Sequence, residues 1–265
     1  MKSFMRYLRL WRRFAIIAFV REAEYRANFL IGVAEGVVQL ALAIVTFLLL
    51  YRFTNTVAGW TQQQVLVLVG VYRVVDGLVG LQIAPNMLAI SGYIRRGEMD
   101  FLLLRPVSGQ FLVSLRMLEL PEAVNVTIGL ALTVYAGNLA HVHWTIASVA
   151  AALLFGLCGL AVLYALWFLT VTLSFWLVQV DSLDTLFYSL FETARYPVSF
   201  FKGLVRALLT FGVPVAFATT FPAQALLGNA DPRLLPLGLV LAGGALAATL
   251  LFWTYAVRHY GSASS

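Results

Sequence analysis

AVNVTIGLALTVYAGNLAHVHWTIASVAAALLFGLCGLAVLYALWFLTVTLSFWLVQV, residues 123–180, contains no Asp, Glu, Lys or Arg. A helix needs about 20 apolar residues to cross a bilayer, so this stretch has room for two crossings. The turn between them falls at Gly137–Trp144, the one part with polar clustering. A second charge-free run covers Leu234–Val257. Of the 265 residues 61% are hydrophobic and 11% charged, and the mean hydropathy is +0.87. A soluble domain carries about 25% charged residues, so this chain cannot clothe a water-facing globule. In hydrocarbon every backbone polar group must be satisfied internally, and long apolar runs without alternation do that as helices. The class is therefore an all-α integral membrane protein, one domain over 1–265.

Outward from this stretch, further spans are expected at about Asn28–Tyr51, Gln64–Met87 and Leu118–Tyr135, with the fourth at Thr145–Val178 and the sixth at Leu234–Val257. Residues 181–233 are apolar but broken by Pro197, Gly203, Gly212, Pro214 and Pro222. Proline ends or kinks helices. One span is expected at Leu183–Phe200, then a short helical hairpin at about Gly203–Gly228 dipping back into the membrane. The alternative makes 204–221 itself the fifth span.

Residues 1–26 hold Lys2, Arg6, Arg9, Arg12, Arg13, Arg21 and Arg26 interleaved with Phe4, Leu8, Trp11, Ala15 and Phe19. That spacing suits a helix lying in the headgroup region against anionic lipid. Nucleic acid is the poorer match, since the opposite face is Trp and Phe. No short apolar core with a cleavage site follows the basic start, so the first span is expected to serve as an uncleaved targeting signal. With the N-terminus inside, segments 1–26, 91–116 and 258–265 carry seven, four and one Lys/Arg, against Arg52, Lys202, Arg206 and Arg233 outside. The positive-inside rule thus puts both termini in the cytoplasm.

Several chemistries lack their residues. There is no G-x-x-x-x-G-K-[ST] phosphate loop, no H-E-x-x-H and no G-x-S-x-G. His141 and His143 share a loop as a weak pair, and Cys158 in its apolar run is a packed thiol with no disulfide partner. No cofactor or metal is expected in this chain.

Ionisable residues inside spans are costly and mark function or locked helices. Arg73 and Asp76, and again Glu192 and Arg195, stand three apart and can pair on one helix face. Two readings stay open for both pairs: a substrate path or helix locking. Glu35 has no evident partner in its own helix, and Glu119 and Glu122 start the third span.

The loop 92–108, Gly92-Tyr93-Ile94-Arg95-Arg96-Gly97-Glu98-Met99-Asp100-Phe101-Leu102-Leu103-Leu104-Arg105-Pro106-Val107-Ser108, mixes both charge signs with a bulky apolar patch. On an inner face it suits docking to a soluble protein, or a plain interfacial helix. YIRRGEMDFLLLRPVS resembles a hallmark of the ABC-2-type permease family, in particular the small six-span permeases that accompany a separate ATPase. REAEYRANFL at 21–30, the stretch 195–228 and RHYGSASS at 258–265 agree. The resemblance implies six spans, an N-terminal interfacial elbow helix (1–26), a cytoplasmic coupling loop (91–109) and a re-entrant pair (203–228). It implies ATPase contact through Arg95, Arg96, Glu98, Asp100 and Arg105, with Phe101 and Leu102 as apolar anchors. Glu24, Tyr25, Arg26 and Asn28 would brace that interface, and Asp181 and Asp184 would add a smaller contact. Arg73, Asp76, Glu192 and Arg195 would line the path or lock helices.

The function so implied is the permease subunit of an ATP-driven exporter in a bacterial inner membrane. Its partners would be two ATPase copies holding ATP and Mg, a second permease of the same or a related chain, and membrane lipid. A lipid-modifying membrane enzyme and a non-transporting sensor or scaffold are the alternatives.

Overall fold

The computed structural model describes residues 2–24, 26–177 and 181–260, with side chains for all of these except 2–4, 26, 28 and 181–186. Helix α1 (Lys2–Glu24) is followed by α2 (Arg26–Tyr51) and a tight hairpin, β1 (Thr56–Val57) and β2 (Trp60–Thr61), paired Thr56↔Thr61 and Val57↔Trp60. Both turn residues, Ala58 and Gly59, have positive φ, the geometry that matches the twist of a two-residue hairpin. Thr61 then caps α3 (Gln62–Leu78) in a reciprocal capping box with Gln64. A π turn (Val79–Ile83) carries α3 without interruption into α4 (Ala84–Arg95). Next come α5 (Glu98–Leu103), α6 (Gly109–Leu115), α7 (Glu122–Leu139), α8 (Ile146–Thr172), α9 (Asp181–Glu192), α10 (Gly203–Ala207), α11 (Val215–Ala218), α12 (Thr220–Leu226) and α13 (Leu234–Arg258).

Ring contacts align the bundle. Phe175, just past α8, meets Trp253 and Tyr260 at 5.6 and 5.2 Å, so α8 and α13 finish together. Gln110 on α6 donates to Tyr164 and Thr249, both near those finishing ends. The α5–α6 segment therefore lies at this end of the bundle. At the opposite end the Trp60 indole N–H donates to Ser199 Oγ at 3.1 Å.

The π turn has a chemical cause. Pro85 has no N–H to return to the Leu81 carbonyl. That carbonyl instead accepts the Glu119 N–H at 3.0 Å. Glu119 belongs to a non-helical stretch, 116–121, just before α7. The two irregular segments complete one another: Asn86 donates to the Met117 carbonyl at 2.8 Å and accepts the Met117 N–H at 2.9 Å, while Gln82 Nε2 donates to the same carbonyl at 3.1 Å. Broken backbone survives in a membrane when protein groups satisfy it. Helix α1 closes this joint, with Trp11 Nε1–H donating to Gln82 and Arg21 to the Leu118 carbonyl and to Glu119.

Helices α3 and α7 pack backbone to backbone because glycines face each other. A Cβ on Gly129 would lie 2.6 Å from the Val74 nitrogen, and one on Gly77 2.8 Å from the Val126 nitrogen. Small residues give this close approach in apolar surroundings, where burial itself supplies little. Gly159 serves the same purpose between α8 and the backbone of Ala218. Phe155, Trp167, Phe168, Phe191 and Phe217 fill the core around α8, while α2, α8 and α13 leave Leu42, Leu153, Leu157, Val240 and Leu251 exposed to the surroundings.

Among the described residues four helices are long and apolar enough to cross a membrane: Phe29–Tyr51, Gln62–Arg95, Ile146–Phe175 and Leu234–Arg258. A pair, Gly203–Gly212 and Val215–Leu226, makes a fifth only if its 63° bend is counted within one span. Three expectations need correction. The second span does not end at Met87 but runs to Arg95, since nothing breaks the helix before Gly97. The third does not start at Leu118, because 116–121 is spent on the joint with α3–α4. The span expected at Leu183–Phe200 is helical only to Glu192, about 18 Å at ~1.5 Å per residue. After it come short 3₁₀ turns at Thr193–Arg195 and Val198–Phe200, separated by the extended Tyr196 that Pro197 demands. A continuous span over 204–221 is not formed either, because Gly212 and Pro214 stand at the bend.

A Gly129→Ala variant should lose about 1–3 kcal/mol of stability from forced separation of α3 and α7. Gly156→Ala, whose added methyl meets only Pro222 at 4.0 Å, should lose none. Thermal unfolding of both in one detergent checks the contrast.

Candidate functional site

Two places gather the residues singled out in the sequence. The first is α5 and its flanks. The chain reverses from α4 at Gly97, whose φ of 69° favours glycine. The helical period then divides α5: Met99 and Leu102 point inward and are buried, while Phe101 and Leu104 are 72% and 82% exposed. Leu102 was expected as an apolar anchor, but it is held in the core, and the exposed partner of Phe101 is Leu104. Arg95 and Arg105 are exposed at the two flanks and Asp100 is half-buried. Arg96 folds toward Glu98, with Nε to Oε1 at 2.7 Å. Its hydrogen bond and charge hold the Glu98 carboxyl below its ordinary 4.5 and raise the Arg96 guanidinium.

The brace on this surface comes from the start of α1. Arg6 donates to the Pro106 carbonyl at 2.6 Å, the Tyr7 hydroxyl accepts the Ser108 N–H at 3.3 Å, and the Tyr7 and Phe111 rings stand 4.6 Å apart. Glu24, expected to brace it, is exposed and lies roughly 27 Å further along the helix, at ~1.5 Å per residue. Tyr25 lies outside the described residues, and the side chains of Arg26, Asn28, Asp181 and Asp184 do as well.

The second place is inside the bundle, between α2, α3, α7 and α9. Arg73 is 4% exposed and makes three bonds: to Asp76 at 2.8 Å, to the Gly36 carbonyl at 3.0 Å and to Gln39 Oε1 at 3.2 Å. Gln39 in turn donates to Glu35 Oε1 at 3.3 Å. Glu35 thus does have a partner in its own helix, one turn on, because residues four apart meet on one face. Asn125 donates to Glu122 at 2.7 Å. Gly36 lies under Asn125 and Gly80 under Glu122, so that α2 and α3 can approach α7 at these polar groups.

Glu35, Gln39, Tyr72, Asp76, Glu122 and Glu192 face a common polar cavity of about 300 Å³. An adjoining one of about 310 Å³ shares Gln39, Tyr72 and Glu192 with it and reaches Arg195 and Tyr196. Arg195 is 3.6 Å from Glu192, both side chains are about half exposed, and its guanidinium stands 5.4 Å from the Tyr196 ring. The two i, i+3 pairs therefore differ. Arg73–Asp76 ties α3 to α2, whereas Glu192–Arg195 is too loose and open to hold helices together. Gln39, Asn125 and Tyr72 were not singled out in the sequence. The first two stand at i+4 from Glu35 and i+3 from Glu122, which is the signal that could have found them; nothing local marks Tyr72. Among the described residues no three His, Cys, Asp or Glu side chains are grouped to hold a metal.

Breaking the Arg73 tie with Arg73→Ala should cost about 3–5 kcal/mol, since it strands Asp76. The double variant Arg73→Ala, Asp76→Ala should recover part of that loss, read as unfolding midpoints in mild detergent. The Arg96–Glu98 bond has the opposite pH sense to a histidine switch. The Glu98 pKa is depressed, so the bond is fully present above 4.5 and lost as pH falls through the lowered value. Carboxyl chemical shifts of Glu98 followed from pH 7 downward (about a 4-unit range) should show this late protonation, and Arg96→Ala should return it to the ordinary range.

A family model described as "ABC-2 family transporter protein" matches residues 37–264. The matched range takes in α5, the bent pair and the cavity walls on α3, α7 and α9; it begins within α2, beyond α1 and the Glu24–Asn28 stretch. No curated protein matches the chain, and no solved structure does.

Proposed function

The chain belongs to the ABC-2 transporter family, a multi-pass membrane protein of transport, and from this we propose that it is the permease subunit of an ATP-driven exporter whose ATP is hydrolysed on a separate chain. The observation that carries the proposal is α5. A short helix at one end of the bundle offers Phe101 and Leu104 to solvent, flanked by Arg95, Arg96, Glu98 and Arg105. An apolar centre with a charged rim is the composition of a protein-docking surface. The partner is an ATPase subunit, two copies to two permeases, and it holds the ATP and Mg.

The second permease, this chain again or a related one, meets the face of α2 and α9. There Glu35 and Gln39 of α2, Glu192 of α9 and Arg195 just past it reach the surface. Charged groups are too costly to leave against lipid. Between the two subunits the polar cavities become a path, and Arg73 with Asp76 fixes its wall.

The same reading has six crossings, with α7 and the α9–Phe200 segment completing the four long helices and both termini in the cytoplasm. The bent pair is then re-entrant. In support, its leading end follows Ser199, which bonds Trp60 at the hairpin end, and its trailing end leads into the start of α13 at that end too. ATP binding draws the partner subunits together, α5 receives the motion, and α1 and the α3–α4 joint pass it to the spans.

Co-purification from mild detergent tests the assignment. The wild-type chain should bring an ATPase with it. Phe101→Ala with Leu104→Ala should weaken that association about 30-fold or more, the equivalent of ~2 kcal/mol at a docking centre. Reversing Arg95 and Arg96 to Glu should cut transport and ATPase stimulation in a chain that still inserts. Undiminished stimulation by both variants would overturn the docking role, and catalytic activity of the chain with no ATPase present would favour a membrane enzyme.

A further inference from the structure

A third cavity, of about 360 Å³, lies away from the polar path, between α3, α7, α8 and α12. It is more than twice the ~150 Å³ of an apolar engineered cavity that stays dry and takes up benzene. Its walls offer nothing polar. The Thr133 hydroxyl is already given to the Gly129 carbonyl at 2.8 Å, and the Trp144 indole N–H to Asn138 at 3.1 Å. Water needs two to four polar partners to occupy such a space and finds none.

The cavity is continuous with the outer apolar surface. Leu130, Leu153 and Leu157 line it and are 53%, 63% and 61% exposed on helices of a membrane protein. From there it runs inward to Val75 and Leu226, which are 4% and 9% exposed. Trp144, just before α8, stands at its rim, and an indole with an apolar body and a bonded N–H suits the headgroup boundary. We propose that this cavity is an intramembrane binding site for one acyl chain of a bilayer lipid, entering between α7 and α8 and ending against the bent pair. Among occupants, a polar cargo would find no partner in these walls. The proposal does not rest on the permease reading.

Its consequence follows from the position. Pro222 and Leu226 on one wall belong to the bent pair, and Val71 and Val75 on the other belong to the α3–α7 block. A chain in place acts as a wedge that sets the spacing of these two blocks.

The test uses the full chain in phosphatidylcholine vesicles doped with a phosphatidylcholine that carries a photoactivatable diazirine midway along one acyl tail. Labelled residues are mapped by peptide mass spectrometry. Bulk lipid reaches only exposed side chains, so it marks Leu153 and Leu157 whether or not a site exists. The expected result is additional label on Val75 and Leu226. In Gly156→Leu, whose side chain enters the cavity, that inner label should fall at least fivefold while the label on Leu251 of α13 stays unchanged. Label confined to exposed residues in the wild type overturns the proposal, whatever the variant does. Inner label that persists undiminished in a folded Gly156→Leu chain overturns it as well.

Discussion

Pro85 removes one N–H from the long helix Gln62–Arg95, and one end of the bundle is arranged around that loss. The Leu81 carbonyl set free needs a donor, and in hydrocarbon only protein can provide one. Glu119 N–H does so from the non-helical stretch 116–121, and α7 begins only at Glu122. Gln82 and Asn86 then satisfy the Met117 carbonyl and N–H within that stretch. Because α1 bonds to both sides of this joint through Trp11 and Arg21, an element at the edge of the bundle is made part of its framework. Three segments distant in sequence are thereby held at one place, next to the α5 end of the bundle.

Toward the opposite end the constraint changes from backbone satisfaction to close approach. Glycines on α3 and α7 bring two helices into backbone contact, and Gly32 and Gly36 let α2 pass close to the start of α7. That proximity lets the Arg73 guanidinium reach the Gly36 carbonyl and Gln39 across the helix boundary. The polar groups are not scattered charges tolerated in a membrane. They form one network, Glu35–Gln39–Arg73–Asp76, with Glu122 and Asn125 across the cavity from it. Arg195 and Glu192 belong to the open edge of the same region and remain half exposed, which is why they suit a path or a subunit contact better than a lock.

The separation of polar and apolar cavities is a direct product of how α3 is used on both sides. Asp76 and Tyr72 face α2 and α9, whereas Val71 and Val75 face α8 and α12. One helix thus carries a water-compatible space on one side and a lipid-compatible space on the other. Motion of α3 must alter both, and the proposed acyl chain would oppose or favour that motion according to how well it fills its space.

Membrane class and the helical nature of the chain were legible from residues 123–180 alone, because hydrocarbon leaves a charge-free apolar run few alternatives. The Arg73–Asp76 pair was legible too, since it follows from helical spacing. Tertiary structure decided what spacing could not. Leu102 and Leu104 look equivalent in sequence, and only the direction in which α5 lies on α4 and α6 buries one and exposes the other. The brace on α5 falls to Arg6 and Tyr7 rather than Glu24, because it depends on where α1 runs over the bundle. The joint of the Pro85 segment with Glu119 depends on partners thirty or more residues away, and no local pattern encodes a distant donor. Local chemistry determines which helices form and what they dissolve in; which groups meet is set by the packing of helices against one another.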